Sequence, residues 1–258
     1  MCGITGIIHL DNSPVPLSVL QDMTEAIAHR GPDGEGHWIE ANVGIGHRRL
    51  AVIDLSIAGY QPMVSADHRY WLSYNGEVYN FKELRVELEA KGYWFGSQTD
   101  TEVVLNAVSE WGPKALDKFN GMFALALWDR KERTLLLARD RYGIKPLYVS
   151  HQGNVFAFGS EQKAILAMPD FKHKMDKSAL IEYFTFQNIF TDRTLIEDIQ
   201  LFPAGHYATF DLKNSKPALK YTQYWDYDFC EPKEYVSDDE SGEELDRLFQ
   251  QAVDRQLV

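Results

Sequence analysis

A cysteine stands at position 2, in MCGITGIIHLD, one residue from the end, where fraying would ordinarily waste a reactive side chain. Once Met1 is removed, thiol and α-amine sit on the same residue. A terminal amine titrates at about 7.7–8.0 and a thiol at about 8.5, so the amine can take the thiol proton at little cost near neutrality. This is the N-terminal nucleophile arrangement, in which the amine replaces histidine as the base. The attack creates an oxyanion, and Asn75-Gly76 offers two donors for it, a side-chain amide and a backbone N–H. Arg49, in HRRLAVID, could clamp a carboxylate bidentately, and Asp100, in QTDTE, could hold an ammonium. Cation and anion together suit a zwitterionic amino acid. Each residue alone also has a plainer role: Cys2 as a small apolar filler, Asn-Gly as a two-residue hairpin turn, Arg49 as a strand-edge surface residue, Asp100 as a favourable charge at a helix N-terminus.

Such side chains must be carried by a frame, and the hydrophobic spacing predicts one. Residues 2–10 read as a buried strand, and Leu20, Met23 and Ile27 mark an amphipathic helix over 17–28. HRGPDGEG forces a loop, residues 37–54 carry two short strands around Gly44 and Gly46, and RYWLSYNGEVYN reads as a hairpin turning at Asn75-Gly76. Phe81, Leu84 and Leu88 mark a helix stopped by Gly92, and Thr99 with Glu102 forms a capping box before Val104, Ala107, Val108 and Trp111. MFALALWD, TLLLARD, PLYVS and VFAFGSE then follow too closely for helices between them, which implies antiparallel pairing. The pattern predicts an α+β fold, two antiparallel sheets covered by helical layers. Residues 211–240 read as a linker. A second capping box, Ser241 with Glu244, precedes the stripe Leu245, Leu248, Phe249, Ala252, Val253 and Leu257, so 241–258 reads as the opening helix of a further domain.

Composition excludes several function classes. The 258 residues are 45% hydrophobic with a net charge of −12, which argues against a nucleic-acid footprint and against an anionic membrane surface. Two cysteines, Cys2 and Cys230, cannot build a disulfide framework or a CxxC metal site, and a reducing cytoplasm is the simpler compartment. No basic leader precedes the first apolar stretch, and the longest apolar run, MFALALW, falls far short of the roughly 18 residues of a membrane helix. No resident metal is expected. A homodimer is left open.

Taken in order, MCGI, HRGPD (29–33), HRRLAVIDLS (47–56), YNGEVYN (74–80), TDTE (99–102), RDRYGIKPLYV (139–149) and SEQKAI (160–165) resemble the glutaminase domain of class II glutamine amidotransferases, and most closely the glutamine-dependent asparagine synthetases. The resemblance covers roughly residues 1–210. It implies an N-terminal nucleophile hydrolase fold, a four-layer αββα sandwich, with L-glutamine as substrate. Carried over by position, it implies Cys2 as nucleophile and Asn75 with Gly76 as oxyanion hole. Arg49, with the backbone of Leu50, Ala51, Val52 and Ile53, would hold the glutamine carboxylate, and Glu77 and Asp100 its ammonium. Arg30 and RDRYGIKPLY would shape the site. In the family, ammonia passes to a C-terminal synthetase domain of the same polypeptide, where ATP and Mg are expected. Neither an SGGxDS-like loop nor GxxxxGK[ST] occurs here, so glutamine hydrolysis without asparagine synthesis is the expectation. A domain of the same class serving another acceptor fits the same motifs, as does a catalytically silent module of the same fold.

Overall fold

Side chains that alternate along a strand must find a partner layer on each face, and here every central strand finds two. The computed structural model describes residues 1–214, 217–230 and 237–257. In chain order the elements are β1 (Gly3–His9), α1 (Leu17–Glu25), β2 (Gly34–Glu40), β3 (Val43–Arg49), β4 (Met63–Val64), β5 (Tyr70–Val78), α2 (Phe81–Glu89), α3 (Asp100–Trp111), α4 (Ala115–Lys118), β6 (Gly121–Asp129) and β7 (Thr134–Arg139). There follow β8 (Tyr148–Gln152), β9 (Val155–Gly159), α5 (Gln162–Leu166), α6 (Lys177–Phe186), β10 (Ile199–Leu201), β11 (His206–Asp211), β12 (Leu219–Gln223) and α7 (Asp238–Gln256). They build two antiparallel six-stranded sheets, ordered β10-β8-β9-β1-β3-β2 and β12-β11-β7-β6-β5-β4.

The period of two divides each strand between two cores. In β6, Ala124, Ala126 and Trp128 face the opposite sheet, where they meet Ile4, Ile8, Val43, Ile45 and Phe158. The alternate residues Phe123, Leu125 and Leu127 face α2 and α3, packing with Leu84, Leu88, Val104 and Val108. On the far side, Ile7 and Ala157 leave the first sheet outward to meet Leu20 and Met23 of α1 and Ile165 of α5. Helix, sheet, sheet and helix are thus sealed by three apolar layers, and the molecule is an α+β sandwich.

Three sequence-based expectations change. Asn75-Gly76 is no turn: β5 runs straight through it, paired with β6 from Tyr70↔Asp129 to Val78↔Gly121. The β2–β3 turn lies at Ala41-Asn42, with Ala41 at φ 52°, while Gly44 and Gly46 lie inside β3. There a Cβ would meet Val15 at 3.0 Å and Thr24 Oγ1 at 2.5 Å, so both glycines mark close helix approach. The last helix spans Asp238–Gln256 and is capped four residues earlier than expected, because Ser237 and Glu240 form the capping box in place of Ser241 and Glu244.

The second sheet also continues past residue 210. Within the stretch expected as linker, Leu219–Gln223 pairs with β11, from His206↔Gln223 to Phe210↔Leu219. Residues 215–216 and 231–236 of that stretch, and Val258, lie outside the described residues. The α7 stripe is present and open to solvent, with Leu245 69% and Phe249 67% exposed. Among the described residues no helix is long and apolar enough to cross a membrane.

Candidate active site

Cys2 precedes β1 in the first sheet, and Arg49 ends β3 beside it, since Gly3 pairs with Arg48. Asn75, Gly76 and Glu77 lie in β5 of the second sheet, and Asp100 opens α3 on that sheet's outer face. A cavity of about 210 Å³ opens between them. All ten residues expected at the site line it: Cys2, Arg49, Leu50, Ala51, Val52, Ile53, Asn75, Gly76, Glu77 and Asp100.

The thiol is docked by backbone. Leu50 N–H points at Cys2 Sγ from 3.3 Å, and Sγ lies 3.6 Å from Leu50 O. Burial pushes the thiol pKa up, opposed by the Leu50 N–H. Behind it, buried Arg30 donates from Nε to Cys2 O at 2.9 Å and pairs with Glu161 at 2.9 Å. Arg30 therefore fixes the chain at the nucleophile, the shaping role expected of it.

Opposite stands Asn75, whose side chain faces the inter-sheet layer. Its Nδ2 is buried with no hydrogen-bond partner among the described residues. A buried donor left unpaired costs about 1–3 kcal/mol, so its persistence points to a ligand acceptor. Gly76 adds a second donor through ladder parity. In an antiparallel pair alternate residues turn their N–H away from the neighbour. Tyr74 N–H leaves β6 for Gln61 Oε1 at 2.7 Å, and Val78 N–H leaves it for Asp100 Oδ2 at 3.1 Å. Gly76 lies two residues from each and turns its N–H to the same side, the side of the cavity. A side chain here would collide with β6, its Cβ 2.6 Å from Met122 O and 2.7 Å from Phe123 Cβ. Glycine is thus required by close strand approach rather than by turn geometry.

Two hydrogen bonds tie the sheets at this point. Ser73 Oγ donates to Gly46 O at 3.1 Å, and His47 Nε2 lies 3.1 Å from Tyr74 O. Burial pushes the His47 pKa down to about 3, so the ring is neutral and the carbonyl makes Nε2 the protonated nitrogen.

Arg49 does more than its sequence motif suggests. Its guanidinium donates to Ser56 O at 2.8 Å and to Asp54 O, and Gly59 packs where any Cβ would strike it. It therefore folds the loop that supplies Leu50–Ile53, with Ala51 N–H also held by Asp33 at 2.9 Å. Residues outside the sequence-based set line the cavity too, among them Tyr74, Gln61 and Lys145. Lys145 was visible only as a lysine within the apolar IKPLYV, a signal absorbed into the core reading of that motif. No group of three or more His, Cys, Asp or Glu among the described residues could hold a metal ion.

Asp100 is buried and accepts from Tyr74 OH at 2.8 Å as well as from Val78 N–H. Burial, with Glu77 adding to it and these hydrogen bonds opposing it, pushes its carboxyl from 3.8 up to about 6. Between those values the folded state holds a proton that the unfolded chain has released, so stability falls as pH rises through that window. That rise in the carboxyl pKa corresponds to about 2–3 kcal/mol at neutral pH. Asp100→Asn, which can still accept from Tyr74 and Val78, is expected to be more stable than wild type at pH 7.5 by up to about that amount, with the advantage absent at pH 4. Denaturant unfolding at the two pH values measures this. Equal destabilisation at both would show that Asp100 is held as a satisfied carboxylate.

Comparison with known proteins agrees with this layout. A family model described as "Glutamine amidotransferase domain" matches residues 1–225. Asparagine synthetase (glutamine-hydrolyzing) 3 of Bacillus subtilis (strain 168) is 41% identical over 262 residues, covering 100% of this chain and 42% of the relative. Asparagine synthetase (glutamine-hydrolyzing) 1 of the same organism is 38% identical over 208 residues, covering 80% of this chain and 33% of the relative. The chain thus spans less than half the length of these curated relatives. Among solved structures, glutamine phosphoribosylpyrophosphate amidotransferase from B. subtilis, complexed with ADP and GMP, superposes with TM-score 0.64 at 17% identity, covering 87% of this chain and 49% of that one. At that identity the likeness concerns the fold alone, two antiparallel sheets stacked between helical layers.

Proposed function

We infer, since the chain belongs to the glutamine amidotransferase domain family, that its cavity hydrolyses L-glutamine through a Cys2 thioester. The observation that carries this is the unpartnered Asn75 amide buried across the cavity from the Cys2 thiol. Removal of Met1 frees the Cys2 amine, which takes the Sγ proton. The thiolate attacks the glutamine carboxamide carbon, and the oxygen gains the negative charge between Asn75 Nδ2 and Gly76 N–H. The ammonium formed on Cys2 then protonates the leaving nitrogen, the C–N bond breaks, and ammonia departs. Water, deprotonated by the same amine, attacks the thioester and releases glutamate and the thiol. Arg49 holds the α-carboxylate, with the Leu50–Ile53 backbone beside it. Glu77 and Asp100 hold the ammonium, so binding strengthens as Asp100 ionises above about pH 6.

We assign the ammonia to an acceptor bound outside this cavity, and aspartate is the acceptor the relatives' names favour. ATP, Mg and a synthetase domain belong to that second half-reaction, and neither nucleic acid nor membrane has a part in either. Incubation of the Met1-free chain with glutamine and hydroxylamine tests the first half. Glutamate and γ-glutamyl hydroxamate should both form, the latter by trapping the thioester. Glutamate without hydroxamate would exclude the covalent route, and neither product would exclude the function.

A further inference from the structure

Lys145 is 5% exposed, yet no carboxylate among the described residues lies within ion-pairing distance of it. An ammonium so placed ordinarily has a partner. Its one hydrogen bond among the described residues runs from Nζ to the Met1 sulfur at 3.4 Å. Thioether is a weak acceptor, and Met1 is the residue whose removal the proposed chemistry requires. The lysine lines the same cavity as Cys2.

Its backbone is held with unusual completeness. Asp140 accepts from Lys145 N–H at 2.9 Å, Ile144 N–H at 2.9 Å, Tyr142 N–H at 3.1 Å and Phe123 N–H at 3.1 Å. Arg139 donates to Lys145 O at 2.8 Å, to Phe202 O at 2.6 Å and to Gly143 O at 2.6 Å. A buried aspartate and a buried arginine therefore serve a single turn, and that turn places the Lys145 cation in the cavity that Cys2 lines. Sequence position places the turn between β7 of one sheet and β8 of the other, at the seam where the cavity opens.

We propose that Lys145 is an electrostatic positioning residue for Cys2, its ammonium keeping the Cys2 α-amine uncharged and able to accept a proton, and favouring the thiolate. This rests on the glutaminase function assigned above and adds a residue to it. A positive charge nearby disfavours a second one on the amine and favours a negative one on sulfur. The terminal amine of the intact chain already responds in this sense: burial lowers its pKa, and Arg30 and Lys145 lower it further against Cys2 and Asp33. The other charges facing the pair are Arg49 from β3, Glu77 from β5, Asp100 from α3 and Asp140 after β7. Burial lowers the pKa of Lys145 itself, with Glu77, Cys2 and Asp140 opposing.

The test uses the Met1-free protein in wild-type, Lys145→Met and Lys145→Arg forms, with two readouts against pH. One is the rate of iodoacetamide alkylation of Cys2 followed by mass spectrometry, which needs no turnover. The other is kcat/KM for glutamine. In Lys145→Met, both the alkylation midpoint and the acidic limb of kcat/KM should move up by about one pH unit, the size expected of a unit charge acting within about 10 Å through partly screened protein. Activity should recover at alkaline pH, and Lys145→Arg should keep the wild-type profiles. Loss of rate at every pH with unmoved midpoints would overturn the proposal and leave Lys145 a packing residue. Should Lys145→Met fail to fold, Lys145→Gln carries the same comparison. A shifted alkylation profile in a chain that releases no glutamate would sustain the role of Lys145 and refute the glutaminase function.

Discussion

Cys2→Ala is expected to release no measurable glutamate from glutamine, with the fold and substrate affinity retained. Among the described residues the thiol hydrogen-bonds only with the backbone of Leu50, so alanine removes the nucleophile and few other interactions. Arg49, Glu77 and Asp100, the residues proposed to bind the zwitterion, stay in the cavity lining, as do the proposed oxyanion donors Asn75 and Gly76. Loss of a covalent nucleophile in a comparable hydrolase costs on the order of 10⁶ in kcat, and the residue of catalysis comes from binding and oxyanion donors alone. Glutamine should protect the variant against thermal unfolding as it protects wild type. The glutamine analogue 6-diazo-5-oxo-norleucine should alkylate wild type once and the variant not at all. Undiminished turnover in Cys2→Ala would refute the assigned nucleophile.

Asn75→Ala should divide catalysis from stability. Removing one oxyanion donor costs about 2.7–4 kcal/mol, or roughly 10²–10³ in kcat. Glutamine affinity should change little, because the donor acts on charge that develops after binding. Folding should move the other way. Nδ2 has no partner among the described residues, so truncation removes a desolvated donor whose burial costs about 1–3 kcal/mol, and stability should hold or rise. A change confined to KM, or a large loss of stability, would show that the amide serves binding or folding instead. Arg49 offers no comparably clean variant, since its truncation frees the Ser56 and Asp54 carbonyls along with any ligand.

The contrast between these two residues shows what was legible beforehand. The ordered motifs named ten of the residues that line the cavity, because a zwitterionic amide substrate demands a nucleophile, two donors and opposed charges whatever frame carries them. The layering was legible too, since strands such as β6 and β7 are apolar on both faces and must be covered on both. The Asn75-Gly76 dipeptide misled because its strongest local signal is a hairpin turn, while its actual constraint is the proximity of β6, where Phe123, the partner of Gly76, lies 47 residues further along the chain. A similar limit applies to β12, an edge strand exposed on much of its length and therefore without hydrophobic alternation. Lys145 was missed because only the folded turn shows its ammonium against the Met1 sulfur, in the cavity that Cys2 lines, rather than in solvent. In each case the deciding contact is remote in sequence.

Cys2, just ahead of β1, and Arg49 go with one sheet and Asn75, Gly76 and Glu77 with the other, so the reach from the proposed nucleophile to the proposed oxyanion donors is a gap between two slabs. Its width is gauged by the side chains that separate them, among them Ala124, Ala126 and Trp128 facing Ile4, Ile8 and Phe158, with the Ser73–Gly46 and His47–Tyr74 hydrogen bonds as struts. Interiors at crystalline density respond to a single added methylene by displacement rather than compression. Enlarging Ala126, remote from any ligand, would therefore act as a shim beneath the active site, detuning the alignment of thiol and amide while leaving each half of the site chemically whole. In this architecture the tolerance of catalysis is machined by the filling of the middle layer, and interior volume becomes a catalytic parameter.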